Sequence, residues 1–79
     1  MAELFPTPTR RALLADIAAG RVIDDEDFAP HLHHDEGVSR VATAVWEMKA
    51  AGWCEQVTTD RKWSLTQLGV DVLEGRIDG

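Results

Sequence analysis

The residues of this chain best suited to chemistry are a guanidinium flanked by hydroxyls: Ser39, Arg40 and Thr43. Val38, Val41, Val45 and Met48 recur at helical spacing through the same stretch. Placed every 100° on a helix, Ser39, Arg40, Thr43 and Glu47 fall opposite that apolar stripe, with Trp46 and Ala50 beside them. On such a face Arg40 can take both acceptors of a guanine, and Ser39 or Thr43 can bond a phosphate or a base edge. A merely solvated helix face would carry the same residue types. Glu47 opposes phosphate contact unless it accepts from a cytosine. A second pair of cations, Arg61 and Lys62, follows Thr59-Asp60 at an expected hairpin tip, where adjacent positive charges suit phosphate contact and also serve plain solubility. Arg10 and Arg11 stand in the first turn of an expected helix, where cations oppose the helix dipole. They are a further candidate phosphate contact, although ordinary surface placement explains them as simply.

Other reactive residue types lack companions. His31, His33 and His34 with Asp35 invite a metal, but transition-metal sites need three or four converging ligands, and no paired Cys or His motif is present; no metal is expected. Cys54 is the only cysteine, so an intramolecular disulfide is excluded. It sits in an expected strand and reads as packing rather than as a reactive thiol. There is no glycine-rich phosphate loop and no nucleophile with an adjacent base, so neither a cofactor nor an enzymatic activity is expected. The run Asp24-Asp25-Glu26-Asp27 stabilises a helix N-terminus in the bland reading. In the sharper reading it meets a basic protein partner.

The whole-chain numbers bound these possibilities. The chain has 79 residues, enough for one domain, expected to span 1–79 with its core at about 7–75. It is 44% hydrophobic and 28% charged, ordinary for a globular protein. A net charge of −6 and a pI near 4.8 exclude a strongly electrostatic, non-specific nucleic-acid binder. They leave open a binder whose few cations are well placed. Met1 to Pro8 lacks the blocks of a signal peptide, and no apolar run is long enough to span a bilayer, so a cytoplasmic location without membrane contact is expected. The use of Ala, Asp, Arg, Gly and Val suits a GC-rich bacterial genome.

The elements that must position these residues follow from local signals. Thr7-Pro8 is an N-cap followed by proline at the first helical position, and Leu13, Leu14, Ile17 and Ala18 form an apolar stripe that Gly20 ends. This predicts a helix from about Pro8 to Ala19. Arg21-Val22-Ile23 favours a short strand. Phe28 and Leu32, four apart, predict a short second helix over Asp27 to His34, with Asp35-Glu36-Gly37 as the turn after it. The third helix runs from Val38 to Gly52. Trp53 to Thr59 and Lys62 to Leu65 read as two strands of a hairpin. Thr66 caps a last helix, with Leu65 and Val70 at staple positions, and Gly75 ends it before a frayed tail from Arg76 to Gly79.

The order α-β-α-α-β-β-α resembles the winged helix–turn–helix superfamily of bacterial regulators. The resemblance rests on Val38-Ser39-Arg40-Val41 entering the third helix, Ala50-Ala51-Gly52-Trp53 leaving it, and Leu65-Thr66-Gln67-Leu68-Gly69 after the hairpin. It covers about Thr7 to Gly75. It implies a DNA-binding domain of a small transcriptional regulator. Its third helix would lie in the major groove and its hairpin wing on the backbone, with Ser39, Arg40, Thr43, Arg61 and Lys62 contacting double-stranded DNA. A homodimer would fit a palindromic site. The alternative is an acidic winged-helix module for protein–protein interaction, with the acidic run and Trp46 as its contact surface.

Overall fold

The computed structural model describes residues 4–76. Residues 1–3 and 77–79 lie outside it, and with them part of the N-terminal reading and most of the expected frayed tail. Helix α1 (Pro8–Ala18) forms as its sequence predicts. Thr7 is extended and its hydroxyl accepts the Arg10 amide at 3.2 Å, satisfying one of the amides a helix start leaves open. Leu13, Leu14 and Ile17 are buried, and Gly20, in the left-handed region at φ +77°, turns the chain into strand β1 (Val22–Asp24).

From here the structure departs from the expected order. No second helix forms over Asp27 to His34. A carboxylate oxygen of Asp25 accepts the amides of Asp27 at 2.8 Å and Ala29 at 3.0 Å, and Phe28 adopts φ +60°, so the segment closes on itself as a tight turn. Pro30 then disfavours helical backbone at Ala29 and opens strand β2 (Pro30–His34). The contacts in β2 have period two: Pro30 is buried and Leu32 joins the core, while His31 and His33 point to the other side. A turn at Asp35-Glu36 leads into strand β3 (Gly37–Arg40), each of whose residues has a partner on β2.

The expected third helix therefore loses its first turn to the sheet. Helix α2 spans Ala42–Ala50. Val45 and Met48 face the core as predicted, but Val38 is 57% exposed on a strand. The expectation of a helix from Val38 rested on one apolar residue placed by chance at helical spacing; the ladder to β2 outweighs it. Strands β4 (Cys54–Val57) and β5 (Lys62–Leu65) and helix α3 (Gln67–Leu73) fall where the sequence puts them.

The element order is α-β-β-β-α-β-β-α, and the five strands form one antiparallel sheet in the order β3-β2-β1-β5-β4. This small α+β arrangement replaces the expected winged helix–turn–helix: a β-hairpin stands where the first helix of the helix–turn–helix pair was expected. The core joins Leu13, Leu14 and Ile17 of α1, Val45 and Met48 of α2 and Val72 of α3 to Val22, Cys54 and Trp63 of the sheet.

Two polar joints hold this assembly. The buried Asp24 carboxylate accepts the Trp63 indole N–H at 2.5 Å and the Gln56 amide at 2.7 Å, linking β1 to β5 and β4 beneath the helices. At the start of α3, the Thr66 hydroxyl donates to Gly52 O at 2.5 Å and accepts the Gly69 amide at 3.1 Å, while the Thr66 amide donates to Trp53 O at 3.1 Å. Helix α3 is thereby seated so closely on the corner after α2 that a Cβ on Gly69 would lie 1.8 Å from Trp53 O. The Leu-Thr-x-x-Gly sequence therefore has a local physical cause: a cap, and a glycine where two backbones touch.

Candidate functional site

The pairing of the strands sorts their side chains onto two faces. Directly opposed residues share a face, and along a strand the faces alternate. One face holds Val22, Asp24, Pro30, Leu32, Cys54, Gln56, Trp63 and Leu65, the side on which the helices build the core. The other face carries an unbroken row across all five strands: Arg40, His31, Ile23, Lys62 and Val57. Val38 and His33 stand in the adjacent row at one end, and Ser64 and Glu55 at the other. None of these residues is fully buried, and neither Ile23 nor Val57 joins the hydrophobic core, so this face of the sheet is open.

The charges on that face differ from those elsewhere. Arg10 pairs with Glu47 at 3.4 Å, Arg21 with Asp16 at 2.9 Å, and Arg76 with Asp71 at 2.8 Å and also with Glu74. Lys49 lies over the Trp46 ring at 5.5 Å, Arg61 stands 5.6 Å from the Phe28 ring, and Arg11 is also engaged. Among the described residues, Arg40 and Lys62 alone have neither an ion pair nor a ring contact. They lie in one row, three strand spacings or roughly 14 Å apart. His31 stands between them, its Nδ1 2.9 Å from Ala29 O and 3.7 Å from an Asp25 oxygen. Amides of Ala29 and Asp27, aided by the charges of His31 and Arg40, hold the Asp25 carboxyl below its usual value of 3.8, so it stays ionised at this end of the row.

The five residues expected to contact DNA are thus divided. Arg40 and Lys62 share the open face. Ser39 is on the opposite side of β3, with its hydroxyl 2.8 Å from His34 Nε2. Thr43 is exposed in the first turn of α2, and Arg61 turns away to Phe28 with its backbone at φ +58°. A single recognition helix bearing Ser39, Arg40 and Thr43 does not exist in this fold. Arg10, the other candidate phosphate contact, is taken up by Glu47 and by Phe5 O.

His31 and His33, expected on a short helix, stand on strand β2. Pro30-His31-Leu32-His33 alternates apolar and polar, which is the strand signal, and that signal was present to be read. Among the described residues no three His, Cys, Asp or Glu side chains converge as a metal site. Cys54 is buried against α2, its thiol 3.8 Å from Val45 O, and burial pushes its pKa up to about 11. No helix among the described residues is long and apolar enough to cross a membrane.

No family model, curated protein or solved structure matches the chain. The resemblance to the winged helix–turn–helix superfamily accordingly gains no support from known proteins.

Proposed function

We propose that this chain is a nucleic-acid-binding module that contacts phosphates through the open face of its sheet, with Arg40 and Lys62 as the anchoring cations. The observation that carries the reading is selective pairing. An acidic protein that places its other described Lys and Arg side chains on acids, rings or other partners leaves two unpaired, and both lie in one row of the uncovered face. Two such cations suit phosphate recognition, Arg40 through a planar fork and Lys62 as a point charge. Ser64 and the His31 and His33 rings add hydrogen-bonding groups beside them. The net charge of −6 sets the affinity low and makes it depend on this row.

The test is fluorescence anisotropy of labelled duplex and single-stranded DNA with the whole chain, titrated at several salt concentrations. Two phosphate contacts predict a log–log salt slope of about −2 on duplex. No binding at low salt would overturn the reading.

A second reading, a protein-interaction module, is favoured by Trp46, which is 41% exposed and packs edge-on against Trp63 with ring centroids 5.3 Å apart. Partly uncovered tryptophans are frequent anchors of protein interfaces.

A further inference from the structure

Arg40 stands at the junction of two surfaces. On the open face of the sheet it ends the row just described. It also lines a groove of about 650 Å³ between α1, β2 and the start of α2. That volume is in the range of small-molecule sites. The walls are apolar, formed chiefly by Ala12, Leu13, Pro30, Leu32, Val41 and Ala44.

The charged groups at the groove are unequal. The Asp16 carboxylate is already held by Arg21 at 2.9 Å. Asp25, close by, spends one oxygen on two backbone amides and sets the other 3.7 Å from His31. Arg40 is engaged by neither in an ion pair. The groove is therefore an apolar trough with Arg40 among its lining residues, at the edge of the sheet and without an ion pair. Its complement is a compact apolar body carrying a single anionic head.

We propose that this groove binds a small amphipathic monocarboxylate, whose apolar body lies along α1 and β2 and whose carboxylate takes Arg40 in a two-pronged hydrogen bond. The geometry carries a consequence that rests on the nucleic-acid reading. A carboxylate on Arg40 removes one of the two unpaired cations of the sheet row, so groove occupancy and phosphate binding compete. The groove ligand is then a small-molecule effector that releases nucleic acid.

The test uses 2-naphthoate and its neutral counterpart 2-naphthamide, followed by backbone amide shifts of the whole protein. Naphthoate should shift the amides of Ala12, Leu13, Leu32 and Val41 to Ala44, and naphthamide should bind at least about tenfold more weakly, since a hydrogen bond to a charged group is worth that much. Arg40→Gln should cut naphthoate affinity by the same factor and leave naphthamide unchanged. Ala12→Phe, at an exposed position of α1, should fill the groove and block both. Equal binding of the two probes, shifts confined to another surface, or no binding of naphthoate would each overturn the proposal. Lys62→Gln separates the two readings, because it weakens DNA binding and leaves naphthoate binding intact. If DNA binds and naphthoate fails to displace it, the effector role is wrong. If naphthoate binds the groove and DNA does not bind at all, the groove stands and the phosphate reading falls.

Discussion

Replacing Gly69 by alanine tests how α3 is seated. The new Cβ would lie 1.8 Å from Trp53 O and 2.8 Å from Trp53 C. Both are backbone atoms and cannot rotate away. Ordinary contact begins near 3.4 Å, so α3 and the corner after α2 must part by about 1.6 Å, the difference between 3.4 and 1.8. The displacement would stretch the two hydrogen bonds that tie Thr66, the cap of α3, to Gly52 O and Trp53 O. Overpacking costs ~1–3 kcal/mol or more, and each weakened hydrogen bond adds roughly 1 kcal/mol. A loss of about 3–5 kcal/mol is expected, against a total of roughly 4–12 kcal/mol for a chain of this length. At about 4–8 °C per kcal/mol in a domain this size, the melting temperature should fall by at least ~12 °C. Near-ultraviolet circular dichroism and urea titration would read it. Gly75→Ala is the control: its Cβ meets nothing within 4 Å, so only the cost of the left-handed backbone at φ +79° remains, ~1–2 kcal/mol. If Gly69→Ala melted within a few degrees of the parent, the close seating of α3 would be wrong.

Further outcomes follow from the same geometry. Asp24→Ala strands the buried Trp63 indole N–H and leaves the Gln56 amide only its contact to Phe28 O, and should cost about 2–5 kcal/mol in urea unfolding, with Asp24→Asn milder because it keeps an acceptor. Thr7→Ala removes the cap on Arg10 N and should cost ~1 kcal/mol. Cys54 keeps its proton in the folded state up to about pH 11, while the unfolded thiol titrates near 9.0. Its contribution to stability is therefore whole below pH 9 and fades as pH rises toward 11, which denaturant midpoints on the parent and Cys54→Ala would compare. In native buffer a thiol reagent should label Cys54 only at the rate of unfolding, since the group is buried and protonated.

The parts of the fold that were legible in the sequence are those fixed by local chemistry. Thr7-Pro8 and Thr66 are caps whose hydroxyls bond their own helix, and Gly20 and Gly75 sit at left-handed positions that end helices. The β4–β5 hairpin announced itself through Trp53 to Thr59 and Lys62 to Leu65. The stretch from Asp24 to Val41 departs from the helical reading because its structure is set by a turn and by strand pairing, both of which override the helical spacing of a few apolar residues. Phe28 and Leu32 are four apart, as in a helix, but Phe28 is in a turn that Asp25 closes, and Leu32 faces the core from a strand. The strand alternation of Pro30 to His33 was visible but brief. Pairing with the neighbouring β1 and β3 decides it, and the residue pattern of β2 alone does not show that pairing.

The site divides in the same way. Arg40 stands out in the sequence as a cation opposite an apolar stripe at helical spacing, and Lys62 as a cation at an expected hairpin tip. Their common row depends on the register of β3 through β5, and the exposed sequence pattern gave no sign that His31 would stand between them. Ser39 and Thr43 were picked for their spacing from Arg40 on a helix, and with that helix gone the grouping dissolves.

The most direct test of the account is charge reversal at the open face. Arg40→Glu combined with Lys62→Glu should abolish the salt-dependent binding of short DNA measured by anisotropy, while the protein keeps its melting temperature, because both side chains are exposed and make no ion pair. The matched control is Arg21→Glu combined with Arg76→Glu, which changes the net charge equally at cations already paired with acids and should leave most of the binding in place. Equal loss in both pairs would mean that only net charge matters, and undiminished binding in the first pair would contradict the assignment of the open face.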